Sequence, residues 1–301
     1  MKLRRIWVAV AVAGALAAAG CANNESTPSG GSTQSSGAAG FNLDSVKKDD
    51  ALAGQVSDKV KSDGKLVVGT DPTYEPSEFK QNGKIVGFDV DLGDAIAKKL
   101  GLTADFQESK FDAILPALGT RYEIGMSSFT DNPEREKVVD FVTYFNAGTQ
   151  WASKDSSFSP DNACGKKVAV QTGTVQDTDD LPARQKKCTA AGKGKIEVQR
   201  YDAQDEATNA VVLGKADAVL ADSPVMAGAV KKVGGGLKLV GQVYDAAPYG
   251  IAVPKNAGTT KDAVLGAVKA LISDGTYKAI LDKWGVSTGA ITNPVINGAA
   301  G

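Results

Sequence analysis

Short runs of β-branched and aliphatic residues alternate along this chain with stretches whose apolar positions recur at helical spacing. Lys65-Leu66-Val67-Val68-Gly69 reads as a strand and Ile85-Val86-Gly87-Phe88 as a second. A helix follows over residues 91–100, with Leu92, Ile96 and Leu100 on one face, lysines in its last turn and Gly101 as its stop. Further strands are predicted over residues 123–128, 167–171, 195–199, 217–221 and 249–253. Helical patterns cover residues 111–118, 205–213, 224–232, 260–273 and 276–284. Such alternation predicts α/β layers with largely parallel sheets. No internal repeat interrupts it. The residues after Trp284 are small and polar and are expected to be loosely held.

The first 20 residues follow a different pattern. Lys2, Arg4 and Arg5 precede an apolar run from Ile6 to Ala19, too short to span a bilayer comfortably. Ala18-Ala19-Gly20 then leads directly into Cys21. This looks like a bacterial lipoprotein signal, in which Cys21 is acylated and becomes the mature N-terminus. An ordinary cleaved signal peptide is the plainer alternative, and Arg4-Arg5 is a poor match to twin-arginine export. Residues 21–40 carry one charge and no large apolar side chain, so they read as a flexible linker. Its r.m.s. reach is about 24 Å. A lipid anchor would place the folded part at a membrane surface, on the outer face of the cytoplasmic membrane or the periplasmic side.

Composition narrows the chemistry. The 301 residues include 34 basic and 35 acidic side chains, so no strong charge points to nucleic acid. Histidine is absent. That removes the commonest general base, the commonest zinc ligand and every Ser-His-Asp or Cys-His arrangement. No metal or other cofactor is expected. Cys164 and Cys188 are left after Cys21, and an even pair in an exported chain suggests a structural disulfide.

Eight segments resemble the family 3 extracellular solute-binding proteins, and they occur in family order over residues 63–286. They are Gly69-Thr70-Asp71-Pro72-Thr73-Tyr74 with Glu78-Phe79; Gly87-Phe88-Asp89-Val90-Asp91-Leu92; Phe111-Asp112-Ala113-Ile114-Leu115-Pro116-Ala117-Leu118; Ser127-Ser128-Phe129-Thr130-Asp131-Asn132-Pro133-Glu134-Arg135; Val168-Ala169-Val170-Gln171-Thr172-Gly173-Thr174; Ala216-Asp217-Ala218-Val219-Leu220-Ala221-Asp222; Tyr249-Gly250-Ile251-Ala252-Val253-Pro254-Lys255; and Asp274-Gly275-Thr276-Tyr277. The resemblance implies a periplasmic-binding-protein-like fold of type II, two α/β lobes joined by two hinge strands. Lobe 1 would hold residues 41–148 and 247–301, and lobe 2 residues 149–246. It also implies a monomer that delivers a free amino acid to an ABC permease with its ATPase.

A free amino acid presents a carboxylate and an ammonium on one carbon, and a dry site must pair both. The family motif assigns the carboxylate to Arg135, whose planar fork offers two parallel hydrogen bonds. Thr130 adds a hydroxyl and an N–H. Gly173 and Thr174 sit where a strand turns into a helix, and free N–H groups there attract anions. Asp222, at the matching family position, would take the ammonium together with the Ser128 carbonyl; capping the next helix is the alternative role for Asp222. Tyr74 and Phe111 match an aromatic pair that sandwiches the ligand side chain. Asp71 matches a position that faces a cationic or polar tip, with Glu75 nearby and Gln171 within reach. This points to Lys, Arg, ornithine, His or Gln. Ser77 departs from the family's larger residue and would enlarge or wet the pocket. Asp89 and Asp91 read as helix-capping carboxylates, and Asp179-Asp180 as solvated. An enzyme of the same clamp fold, such as a cyclohexadienyl dehydratase, is the competing class, with Glu75 as its proton donor. A ligand-binding partner of a membrane sensor is the third.

Overall fold

The computed structural model describes residues 41–299. The leader, the Cys21 lipidation site and the 21–40 linker lie outside the described residues. The strands are β1 (Lys65–Thr70), β2 (Thr73–Tyr74), β3 (Glu78–Gln81), β4 (Lys84–Val86), β5 (Thr103–Glu108), β6 (Ile124–Gly125), β7 (Val139–Ser153), β8 (Lys167–Gln171), β9 (Glu197–Tyr201), β10 (Ala218–Asp222) and β11 (Lys238–Pro254). The helices are α1 (Asp50–Gln55), α2 (Asp58–Lys61), α3 (Phe88–Lys99), α4 (Phe111–Ile114), α5 (Pro133–Glu136), α6 (Leu181–Ala190), α7 (Gln204–Val212), α8 (Ser223–Val233), α9 (Thr260–Ser273) and α10 (Thr276–Trp284). None of the described helices is long and apolar enough to cross a membrane.

The eight-stranded sheet runs in the order β5-β1-β6-β11-β7-β10-β8-β9. β5, β1 and β6 pair in parallel at one end, and β10, β8 and β9 at the other. Between them the long strands β7 and β11 pair antiparallel from Lys238↔Ser153 to Pro254↔Val139. Their register shifts between Val240 and Ala247 and again at Tyr249/Gly250. Such shifts bend a strand and increase its twist, so the pair can serve both halves of the sheet. This is the periplasmic-binding-protein-like architecture that the sequence resemblance implies.

One core lies under β1, where Leu66, Val68, Leu92, Ile96, Val264 and Leu281 are buried. Another surrounds Trp151, Val168, Val170 and Leu220. A third bridges the two halves, bringing Tyr74, Phe111 and Phe129 together with Ala207, Val211 and Met226. Close approach across this seam requires glycine at 228 on α8, where a Cβ would stand 2.4 Å from the Glu75 carbonyl oxygen. The Cys164–Cys188 disulfide ties the segment before β8 to α6 across 24 positions.

Several expectations need correction. β5, β7, the first half of β11 and α6 were not foreseen. β7 is buried at every position but Asn146, so both its faces are covered and no alternation marks it. α6 buries only Leu181 and Cys188, which leaves no apolar stripe. The strand expected over residues 123–128 shortens to β6, after which the chain turns into loop. The tail is not loose. Asn297 Oδ1 accepts from the Phe141 N–H at 2.9 Å, Val295 exchanges hydrogen bonds with Thr143, and the Gly298 N–H donates to Asp131 Oδ2 at 2.7 Å.

Candidate ligand-binding site

A narrow cavity of about 10 Å³, room for about one water molecule, lies at the seam, walled among others by Tyr74, Phe111, Ser128, Thr130, Arg135, Thr174 and Asp222. Seven residues singled out from sequence therefore meet at one place, although they span 148 positions of chain. Val175, Gln176 and Ala221 complete the lining.

Arg135 sits in the single turn of α5, whose N-cap Asn132 accepts from the Arg135 N–H at 2.9 Å. Pro133 opens the turn without needing a hydrogen bond of its own. This local geometry sends the side chain back toward Thr130, whose carbonyl accepts from Nη1 at 2.9 Å. Nη2 donates to the Gly173 carbonyl at 3.1 Å. The guanidinium lies over the rings of Phe111 and Phe129, 5.5 and 5.7 Å from their centroids, an arrangement that favours a cation. Burial pulls its pKa below the ordinary guanidinium value, and the Asp222 charge is the largest influence opposing this.

Asp222 ends β10 at the start of α8, but its carboxylate does not cap that helix. Instead Oδ2 accepts from the Tyr249 hydroxyl at 2.7 Å and Oδ1 from Gln176 Nε2 at 2.7 Å. Burial raises its pKa, while Tyr249, Gln176 and Arg135 act in the other direction. The site thus holds a guanidinium from α5 and a carboxylate from the end of β10, both facing one cavity. Such a pair can receive a small molecule that carries both charges.

Three other expected residues lie just behind the wall. Gln171 Nε2 donates to Asp71 Oδ2 at 2.6 Å and to the Asp202 carbonyl at 2.8 Å. The Tyr74 hydroxyl donates to Gln171 Oε1. Asp71 is buried, and burial lifts its pKa to about 6 despite the hydrogen bond from Gln171. Gly173, at φ +80°, turns the chain from β8 so that its carbonyl faces Arg135. Its N–H is not free for an anion, because Asp177 Oδ2 accepts it at 3.2 Å.

Other acidic residues part from expectation. Glu75 pairs with Lys232 at 2.8 Å and is absent from the cavity wall. Ser77 is buried away from the cavity, and its carbonyl accepts from the Asp89 N–H at 3.0 Å. Asp89 does not cap α3. Its Oδ2 accepts from the Tyr144 hydroxyl at 2.8 Å and from the Ser128 N–H at 3.2 Å. Asp91 accepts from Trp284 Nε1 and pairs with Lys283, both at 2.6 Å. Asp180 pairs with Arg184 at 2.8 Å rather than facing solvent. Sequence reasoning missed Gln176 and Tyr249 as partners of Asp222. Tyr249 looked like one more strand residue, and only the pairing of β11 with β7 brings its hydroxyl to β10.

The model of bacterial extracellular solute-binding proteins, family 3, matches residues 66–287. Arginine-binding protein ArgT of Corynebacterium glutamicum is 40% identical over 252 residues, 82% of either chain. An L-arginine-binding protein of Pseudomonas aeruginosa is 33% identical over 74% of this chain and 88% of its own. Among solved structures, an ancestral arginine-binding protein bound to arginine superposes with a TM-score of 0.67 at 38% identity. It covers 73% of this chain and 98% of that one.

Proposed function

This chain belongs to the bacterial extracellular solute-binding proteins of family 3, and we propose that it binds a free basic or polar amino acid, arginine first, for an ABC permease and its ATPase. The observation that carries this reading is that Arg135 and Asp222 line the same cavity. The ligand carboxylate bonds the Arg135 fork and its ammonium bonds Asp222, so neither charge is left buried and unpaired. Tyr74 and Phe111, with ring centroids 5.9 Å apart, flank the side chain. Asp71, reached past Tyr74 and Gln171, supplies the negative charge that favours a cationic tip. The named specificity of the two arginine-binding relatives supports the same ordering.

The halves of the sheet on either side of β7 and β11 act as lobes, with boundaries at residues 148/149 and 246/247. A ligand that bonds both favours the closed arrangement, as any ligand shifts an equilibrium by its differential affinity. Acylation of Cys21 would hold a monomer at the outer face of the cytoplasmic membrane. The chain acts without catalysis in this reading. The proton donor expected for a dehydratase, Glu75, is engaged with Lys232 outside the cavity.

The test is a thermal-shift screen of the twenty amino acids with ornithine and citrulline. A ligand at 100 times its Kd stabilises by about 2.7 kcal/mol. Arginine should give the largest shift, ahead of lysine, ornithine, histidine and glutamine. A flat screen, or formation of phenylalanine or phenylpyruvate by the protein, would remove the transport reading.

A further inference from the structure

Ser128 combines two features that set it apart from the other cavity residues. It is a non-glycine residue in the left-handed region, at φ +51°, and it is 3% exposed. L-residues enter this region at a cost, so surrounding contacts must hold it there. The contacts are two carboxyl groups with no exposure at all, Glu78 on β3 and Asp89 on α3. Asp89 Oδ2 accepts from the Ser128 N–H at 3.2 Å. Glu78 Oε2 accepts from the Ser128 hydroxyl at 3.4 Å, and Oε1 from the Ser127 hydroxyl at 2.8 Å. Ser127 Oγ in turn accepts from the Asp71 N–H at 3.0 Å. The pair therefore fastens the loop after β6 and, through it, the end of β1.

Two buried carboxylates side by side repel unless one is protonated. Glu78 and Asp89 meet at Ser128, which donates to both. Asp89 Oδ1 is buried and has no hydrogen-bond partner among the described residues. The groups that face the pair are Asp71 from the end of β1, Tyr144 from β7 and Tyr249 from β11. Neither carboxyl is ion-paired with a lysine or arginine among the described residues. Burial raises both pKa values, and the Asp89 charge adds to the rise at Glu78, which places the shared proton on Glu78.

We infer that Glu78 and Asp89, sharing one proton, are positioning residues that hold Ser128 at the cavity wall and set the alkaline limit of ligand binding. The inference rests on the amino-acid-binding reading of the cavity. Loss of the shared proton leaves two buried negative charges, and the Ser128 loop is released. Glu78→Gln supplies a permanent N–H donor to Asp89 and an acceptor for Ser127, so it mimics the protonated pair at every pH.

The experiment is calorimetric titration of the full chain with L-arginine from pH 7 to pH 10, for wild type and Glu78→Gln. Deprotonation of the ligand itself weakens both equally. Beyond that, wild type should lose affinity by about tenfold per pH unit above the pair's second ionisation, and Glu78→Gln should not. Whatever its affinity at pH 7, Glu78→Gln should carry that affinity to higher pH than wild type does. Asp89→Ala should bind about 10- to 100-fold more weakly, and Asp89→Asn, which keeps an acceptor for Ser128 and Tyr144, should recover most of the loss. Equal pH slopes in wild type and Glu78→Gln would overturn the inference while leaving amino-acid binding in place. Failure of wild type to bind any amino acid at pH 7 would overturn both.

Discussion

The Arg135 guanidinium donates to the carbonyl of Gly173 at 3.1 Å, joining two residues 38 positions apart at the seam of the molecule. The same guanidinium bonds Thr130 and lies over two phenylalanine rings, so it is fixed before any ligand arrives. A fixed donor loses little freedom when it binds. Arg135→Ala is expected to weaken amino-acid binding by about 2–5 kcal/mol, because it strands a buried ligand carboxylate. Arg135→Lys should recover only part of this, since an ammonium lacks the planar fork. Calorimetry on both variants checks the order. Unchanged affinity in the alanine variant would take Arg135 out of the site.

Burial lifts Asp71 to about pH 6. The carboxyl is therefore charged above that value and neutral below it. A cationic ligand should bind at full strength near pH 7.5 and progressively more weakly as pH falls through 6, while glutamine should be less affected. Asp71→Asn should flatten the cationic ligand's pH profile and cost arginine more than glutamine. Equal losses for the two ligands would count against Asp71 as the residue that selects charge.

Tyr249→Phe deletes the hydroxyl that donates to Asp222 at 2.7 Å. The carboxylate then keeps Gln176 as its remaining hydrogen-bond donor. Affinity is expected to fall by about 1–2 kcal/mol, measured by titration with arginine, and the double change with Asp222→Asn should be non-additive.

Replacing Cys164 and Cys188 together by alanine should lower unfolding stability by about 2–4 kcal/mol on the chain-entropy account. Neither residue lines the cavity, so ligand affinity should hold. Denaturant unfolding and titration on the same sample separate the two effects.

Asp140 is pushed up by burial, but hydrogen bonds from Lys255, Lys261 and Asn297 prevail and hold its pKa near 2. A folded-state pKa below the unfolded value means the group stabilises the fold above the usual carboxylate range. That contribution is lost as pH falls from about 4 toward 2. Asp140→Asn should therefore lower thermal stability at neutral pH and flatten its acid dependence over that interval.

The fold was readable from sequence where a helix buries one face or a short uninterrupted apolar run forms a strand. The helices over residues 260–273 and 276–284 and the strand over 167–171 have the bounds their patterns predict. β7 was hidden because polar residues interrupt a strand buried on both faces, and the first half of β11 because it is mostly exposed. β7 passes through the middle of the sheet and is covered on both faces, so Asp140, Asn146 and Gly148 break any periodic reading of it. At the site, charge chemistry and motif order brought out Arg135 and Asp222. The groups that orient them did not stand out, because a hydroxyl such as that of Tyr249 acquires its role only through strand pairing. Asp89 and Asp91 misled because a carboxylate before an apolar helix usually caps it, whereas here both reach distant elements.

The closing segment of the chain has a practical side. Gly298 donates to Asp131, the immediate neighbour of Thr130 in the cavity wall. Whatever is fused directly after that point begins beside the binding loop. An affinity tag or a fluorescent reporter placed there would perturb measurements of affinity, and a spacer is the safer choice for a sensor built on this scaffold.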